Sequence, residues 1–225
     1  MLSLLLFVCC KPTGTTNNVE NNDSLKLGKS VDITGKIKNA AFGKFVEKLT
    51  VLHLPIDLKA RVNWGFEHKN AVMIDTSDVI GFVCAGKDEN DCWYYNDGSV
   101  HYYFYGKIVS ENFISLIFYM PYNAGHKYFV NNYSYDGLLV SSTILSAIEG
   151  DKYEQDASIN DQMELSITKL NLGEVYNMSN DRTEVDAYTE EKKYKILPDG
   201  KIDSVSNTKG ATKRYLFLDN KYEPI

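Results

Sequence analysis

Carboxylates are the first residues in this sequence whose types and spacing could do chemistry. They gather as Asp88, Glu89 and Asp91, as Glu154 and Asp156, and as Glu184 and Asp186. A glycoside hydrolase needs two carboxyl groups facing each other about 5 to 9.5 Å apart, one of them kept protonated by its surroundings. Glu184 and Asp186 are two residues apart, so on a strand they share a face. Thr183, Val185 and Ala187 occupy the other face, which turns both acids to water. The stretch "KDEND" (87–91) carries oxygen ligands but lacks the EF-hand's central glycine and terminal glutamate, so it reads as a solvated loop. These groups support no catalytic and no metal assignment.

The four histidines, His53, His68, His101 and His126, form no pair at ligand spacing. His53, within "VLHLPI", reads as a packing residue, while His101 and His126 each open an aromatic strand and read as edge or interface residues. No Gly-x-Ser-x-Gly elbow, phosphate-cradling loop or dinucleotide fingerprint occurs, so no cofactor is expected. Cys84 and Cys92 flank "AGKDEND", and two readings stand for them: a small disulfide ring in an oxidising compartment, or two unpaired thiols. Zinc would need a second pair of ligands at suitable spacing.

The stretch "CWYYNDGSVHYYFYG" (92–106) offers contact chemistry instead. Alternation puts Val100, Tyr102 and Phe104 on one face and His101, Tyr103 and Tyr105 on the other. With the first face in the core, Trp93, Tyr103 and Tyr105 form a candidate patch for a ligand or partner, because stiff amphipathic rings suit sugars and peptides. The alternative is that a second layer covers this face too.

Stepping from these residues to the elements that carry them, the chain reads as mainly β. Its 225 residues make one domain or at most two, and 44% hydrophobic residues suffice for a sizeable core. Sixteen Tyr and ten Phe favour pleated surfaces. Period-two alternation marks 30–37, 100–109, 112–120, 126–144, 163–170, 183–189, 192–197, 201–205 and 213–219 as strands. In 163–170, Met163, Leu165 and Ile167 face inward, and Glu164, Ser166 and Thr168 outward. Asp97-Gly98, Asp136-Gly137 and Asp199-Gly200 supply the positive φ of tight hairpin turns. The run at 112–120 is apolar on both faces, as in a central strand covered on both sides. A helix is expected over 39–49, capped by Asn39 and burying Phe42, Phe45, Val46 and Leu49. A short helical turn is expected at 76–84 behind Thr76 or Ser77, and the polar segment 150–162 reads as a long surface loop. The expected fold is an antiparallel meander forming a β-sandwich or incomplete barrel, with one or two short helices.

The N-terminus bears on compartment. Leu2 to Val8 is an apolar run ending at Cys9 and Cys10, far short of the roughly 20 residues that span a bilayer. Its length suits the apolar core of a secretory signal. A run of this kind stopping at a cysteine before a polar tract resembles the bacterial lipoprotein signal, which implies lipidation at Cys10 or Cys9. Residues 1–24 then read as signal and flexible tether, and 25–225 as a single β-rich domain. The net charge of −6, with no basic stripe, argues against a phosphate-backbone binder, so no nucleic-acid partner is expected.

The "LLLFVCC" start with its Asn/Thr tether, the Tyr-rich strands and hairpins such as "KYKILPDGKIDSV" together resemble the small all-β lipoproteins of Bacteroidota envelopes. The resemblance implies export, a membrane anchor through the N-terminal lipid, and an envelope location, and it carries no enzymatic residue. It also implies O-glycosylation at Asp-Ser-apolar sites, matched by Asp23-Ser24-Leu25 and Asp203-Ser204-Val205. The expected function is non-enzymatic binding of a glycan or an envelope protein. An envelope hydrolase acting on glycans and a structural or assembly protein are the alternatives.

Overall fold

The computed structural model describes residues 35–61, 72–86, 92, 100–123, 125–179, 182–219 and 221–225. The first element is α1 (Ala40–Glu47), started by Asn39, whose side-chain oxygen accepts from the N–H groups of Ala41 (3.0 Å) and Phe42 (3.1 Å). Those are donors that the first helical turn cannot satisfy itself. Phe42, Phe45 and Val46 form its buried face, with Leu49 just beyond. After the short β1 (Ile56–Leu58), a second helical piece begins as α2 (Thr76–Asp78) and widens into a π-helical turn over Val79–Val83. Its N-cap is Asp75, not Thr76 or Ser77, and Asp75 makes no side-chain capping bond.

From there the described chain is almost all strand: β2 (Tyr103–Val109), β3 (Phe113–Tyr122), β4 (Gly125–Ser134), β5 (Leu139–Glu149), β6 (Tyr153–Ile159), β7 (Glu164–Ser179), β8 (Arg182–Ile196), β9 (Ile202–Lys209), β10 (Lys213–Leu218) and β11 (Lys221–Pro224). The strands form one antiparallel sheet in the order β11-β10-β8-β7-β6-β5-β4-β3-β2, which does not close, with β1 added beside β6 and β9 beside β8. This is the mainly β, antiparallel architecture expected from alternation. The Asp136-Gly137 and Asp199-Gly200 turns join β4 to β5 and β8 to β9, with Gly137 at φ 83° and Gly200 at φ 87°. Asp97-Gly98 lies outside the described residues.

Several boundaries differ from the sequence reading. The segment 150–162, expected as a surface loop, contains β6, a strand paired on both edges. Its inward positions are Tyr153, Gln155, Ala157 and Ile159, and a glutamine and an alanine there hide the apolar alternation. The expected strands 183–189 and 192–197 are one long strand, β8. Of the expected strand 30–37, residues 30–34 lie outside the described set and Gly35–Lys36 form a turn.

Two apolar clusters lie on opposite faces of β2–β4. Ile114, Leu116, Phe118 and Met120 of β3 pack with α1 and the π-helical turn, through Phe42, Phe45, Val79 and Val83. Ile117 and Tyr119 point the other way, into a cluster shared with Leu145 of β5, Ala157 and Ile159 of β6, and Leu165 and Ile167 of β7. Residues from β2 at one end to Tyr194 of β8 and Ile202 of β9 meet there, so the sheet curls around this second cluster. A bulge in β2 keeps the two faces sorted: the register shifts between Phe104 and Gly106, so Ile108 enters the second cluster. Lys107 turns to the helix side, where its buried ammonium donates to the Val46 carbonyl at the end of α1 (2.9 Å). Burial pulls the Lys107 amine below its ordinary pKa, against the opposing pull of Glu47.

Two polar devices hold the curl. The β5–β6 ladder runs only from Ala147↔Gln155 to Glu149↔Tyr153, and β1 takes over the same edge of β6 at Ala157 and Ile159. Where β5 leaves, the Gln155 side-chain amide donates to the carbonyls of Ile144 (3.0 Å) and Leu145 (2.7 Å). At the other end the β8–β9 turn is clasped onto β4 and β5: Asn132 Nδ2 (2.8 Å) and Ser141 Oγ (2.7 Å) both donate to the Gly200 carbonyl. Ser115 donates to Asn132 Oδ1 at 2.6 Å, which fixes the amide's orientation.

Gly200 needs both its left-handed backbone and its lack of a side chain, since an added Cβ would stand 3.1 Å from Phe113 Cγ. Gly200→Ala is therefore expected to lower unfolding free energy by about 1–3 kcal/mol, the cost of a non-glycine residue strained into such a conformation. Urea unfolding checks this; an unchanged midpoint would show that the clasp is not under steric control.

Candidate functional site

The outer face of the second half of the sheet, turned away from the shared cluster, carries a groove of about 600 Å³. That is within the ordinary range for small-molecule sites, about 300–1,000 Å³. Alternation and register build its floor: Glu154 and Asp156 of β6 stand opposite Leu170 and Thr168 of β7, and Leu170 stands opposite Thr189 of β8. Tyr215 of β10, Tyr222 and Lys221 of β11, and Asp219 between them form one wall. The other wall is the chain leaving β1, with Lys59 and Arg61.

Arg61 locks this wall in place. Its Nε donates to Glu154 Oε1 at 2.6 Å and its Nη2 reaches the same oxygen. Its guanidinium lies 4.7 Å from the ring centre of Phe217 and 5.6 Å from that of Tyr222, so the cation sits between a carboxylate and two π-faces. Next to it the Ala60 N–H donates to Asp156 Oδ1 (2.8 Å), and Lys59 lies 3.5 Å from Asp156 and 3.4 Å from Asp57. Burial pulls the Lys59 ammonium down, but the charges of Asp156 and Asp57 outweigh it and set its pKa above the ordinary value. Burial, helped by the Glu154 charge, raises the Tyr222 hydroxyl, which therefore stays protonated at neutral pH. On the rim Lys221 pairs with Glu223.

Glu154 and Asp156 are adjacent on one face, but each meets a cation, the opposite of the apolar surround that a proton-donating carboxylic acid requires. Among the described residues no three His, Cys, Asp or Glu side chains converge as metal ligands.

The residues singled out in the sequence lie elsewhere. Tyr103 and Tyr105 are half-buried on the inner face: Tyr103 packs on Tyr119 with ring centres 6.3 Å apart, and Tyr105 meets Tyr128 edge-on at 5.3 Å. Neither lines the groove. Trp93, Cys9, Cys10, His68 and the 87–91 loop lie outside the described residues. Cys84 and Cys92 are joined by a disulfide, their Cα atoms 5.5 Å apart, and both are buried beside α1. Glu184 and Asp186 share a face as alternation demands, but Arg214 takes them up, at 2.8 Å from Asp186 and 4.0 Å from Glu184. Val185 and Ala187 are buried opposite them. His53 is exposed and not a packing residue, His101 is exposed, and His126 is buried against Tyr119 and Tyr128 at the start of β4.

The sequence did hold one signal for the groove, the acid pair Glu154 and Asp156 at strand spacing, and reading their segment as a loop discarded it. Arg61, Tyr215 and Tyr222 join them only through the pairing of distant strands, which no local pattern reveals. In comparisons with known proteins, no family model, no curated protein and no solved structure matches this chain.

The Arg61–Glu154 pair is mostly shielded, with 23% and 13% of the two side chains exposed. A double-mutant cycle with Arg61→Ala and Glu154→Ala is expected to give a coupling of about 1–2 kcal/mol, above the range of exposed pairs. Additive losses in urea unfolding would mean that the wall is not held by this pair.

Proposed function

We propose that this chain is a lipid-anchored protein of a bacterial cell envelope whose β-rich domain binds a ligand without transforming it. The observation that carries the binding reading is the groove on β6–β8, β10 and β11, whose neighbouring acids Glu154 and Asp156 are already engaged by Arg61 and Lys59. Such a lining presents a formed surface to a ligand, and its two neighbouring acids each face a cation.

The envelope reading rests on the apolar run Leu2 to Val8 ending at Cys9 and Cys10, followed by a polar tract to residue 24. A Cys84–Cys92 disulfide suits an oxidising compartment. No helix among the described residues is long and apolar enough to cross a membrane. In this reading the lipid holds the protein to the membrane and the tether frees the groove to meet its ligand.

The anchor is tested by expressing the gene with its native upstream region in a bacterial host and analysing the membrane fraction by mass spectrometry. The expected species begins at Cys10 or Cys9 and carries the added mass of acyl chains, and changing both cysteines to Ser moves the protein out of the membrane fraction. An unmodified soluble chain that retains Met1 overturns the reading.

A further inference from the structure

We infer that the groove takes a neutral, polyhydroxylated ligand, an uncharged oligosaccharide, with its sugar rings laid against Tyr215 and Tyr222. The inference rests on the binding reading above and names the ligand class. Charge makes the first argument. The lining carries three cations and three carboxylates, which cancel. Five of the six are also committed, Arg61 to Glu154, Lys59 to Asp156 and Asp57, and Lys221 to Glu223, and the sixth, Asp219, is an exposed turn residue. A phosphate or carboxylate ligand would have to displace an internal partner to gain a cation, and a basic ligand would have to do the same to gain Glu154 or Asp156. A neutral ligand asks for neither exchange.

The second argument is what remains. Thr168, Thr189, Tyr215 and Tyr222 offer hydroxyls that both donate and accept, the pattern that sugar hydroxyls match. Thr189 Oγ1 and the Tyr215 hydroxyl stand 3.4 Å apart, so the two present adjoining polar groups. Leu170 and the tyrosine rings supply apolar area for the C–H faces of a pyranose. The Arg61 guanidinium behind Tyr222 fixes that ring before a ligand arrives, which limits the ordering cost of binding.

The test is isothermal titration calorimetry of the full chain with a panel of trisaccharides: neutral glucose-, mannose-, galactose- and N-acetylglucosamine-based members, beside a uronic-acid and a sulfated member. Two variants accompany it. Tyr215→Ala removes a ring; Thr168→Trp fills the groove from an exposed strand position, which spares the core. The expected result is binding of at least one neutral member, weakened about tenfold or more by either variant, as for loss or blockage of an aromatic anchor. It should also be insensitive to salt between about 50 and 500 mM, where exposed charge contacts are screened. Binding of only the charged members, lost in Thr168→Trp, overturns the ligand class and leaves the binding groove standing. Binding that Thr168→Trp does not alter, or no binding by any member, overturns this inference at the groove itself. Far-ultraviolet circular dichroism of both variants, matching the parent, shows that a loss is not unfolding.

Discussion

The amide of Gln155 is the contact on which the rest of this fold turns. A sheet can curl back on its own apolar face only if some strand gives up its neighbour, and the backbone groups exposed by that parting must be satisfied. Here β5 leaves β6 after three paired residues. The buried carbonyl of Leu145 and the part-buried carbonyl of Ile144 accept hydrogen bonds from the Gln155 side chain, and β1 fills the vacated edge of β6. An unsatisfied buried carbonyl costs about 1–3 kcal/mol, so leaving the Leu145 carbonyl unpaired would take a sizeable part of an ordinary domain's stability. The side chain therefore makes the parting affordable, and the curl encloses the cluster around Ile117, Leu145 and Leu165.

The groove follows from the same event. Once Tyr153, Gln155, Ala157 and Ile159 face the enclosed cluster, Glu154 and Asp156 must face out. They come up beside the chain leaving β1, which is beside β6 only because β5 has gone. Arg61 and Lys59 then meet the two acids, and the long β7–β8 ribbon carries β10 and β11 around to supply the aromatic wall. The site is thus a product of where one strand changes partners. The Gly200 clasp sets the opposite limit by fixing the β8–β9 turn to Asn132 and Ser141.

The strongly alternating segments were legible in the sequence because each carries its own apolar face. Ile114, Leu116 and Phe118 on one face, with Ile117 and Tyr119 on the other, announced a strand covered on both sides, and Asn39 announced the start of α1. Two Asp-Gly pairs sit in left-handed turns for the reason their composition suggests. What stayed hidden is polar or non-local. β6 is disguised by Gln155 and Ala157 at inward positions, and Gln155 is there to satisfy backbone rather than to add apolar area. The β2 bulge, which turns Lys107 to the helix and Ile108 to the cluster, breaks strict alternation at one residue and leaves no mark in the pattern beyond Gly106. Tyr103 and Tyr105 read equally well as contact rings or as packing, and what meets them are Tyr119 and Tyr128 from β3 and β4, brought opposite by the sheet.

Native-state hydrogen exchange along β6 tests the central claim most directly. A strand paired on both edges and facing an enclosed cluster exchanges slowly, whereas a surface loop or a solvent-facing edge strand exchanges fast. The account predicts that the amides of Gln155, Ala157 and Ile159 are protected to the level of β3, well above those of the exposed β9. Fast exchange across Tyr153–Ile159, at the rate of β9 or faster, would contradict it, because neither the curl nor the groove exists without that strand in place.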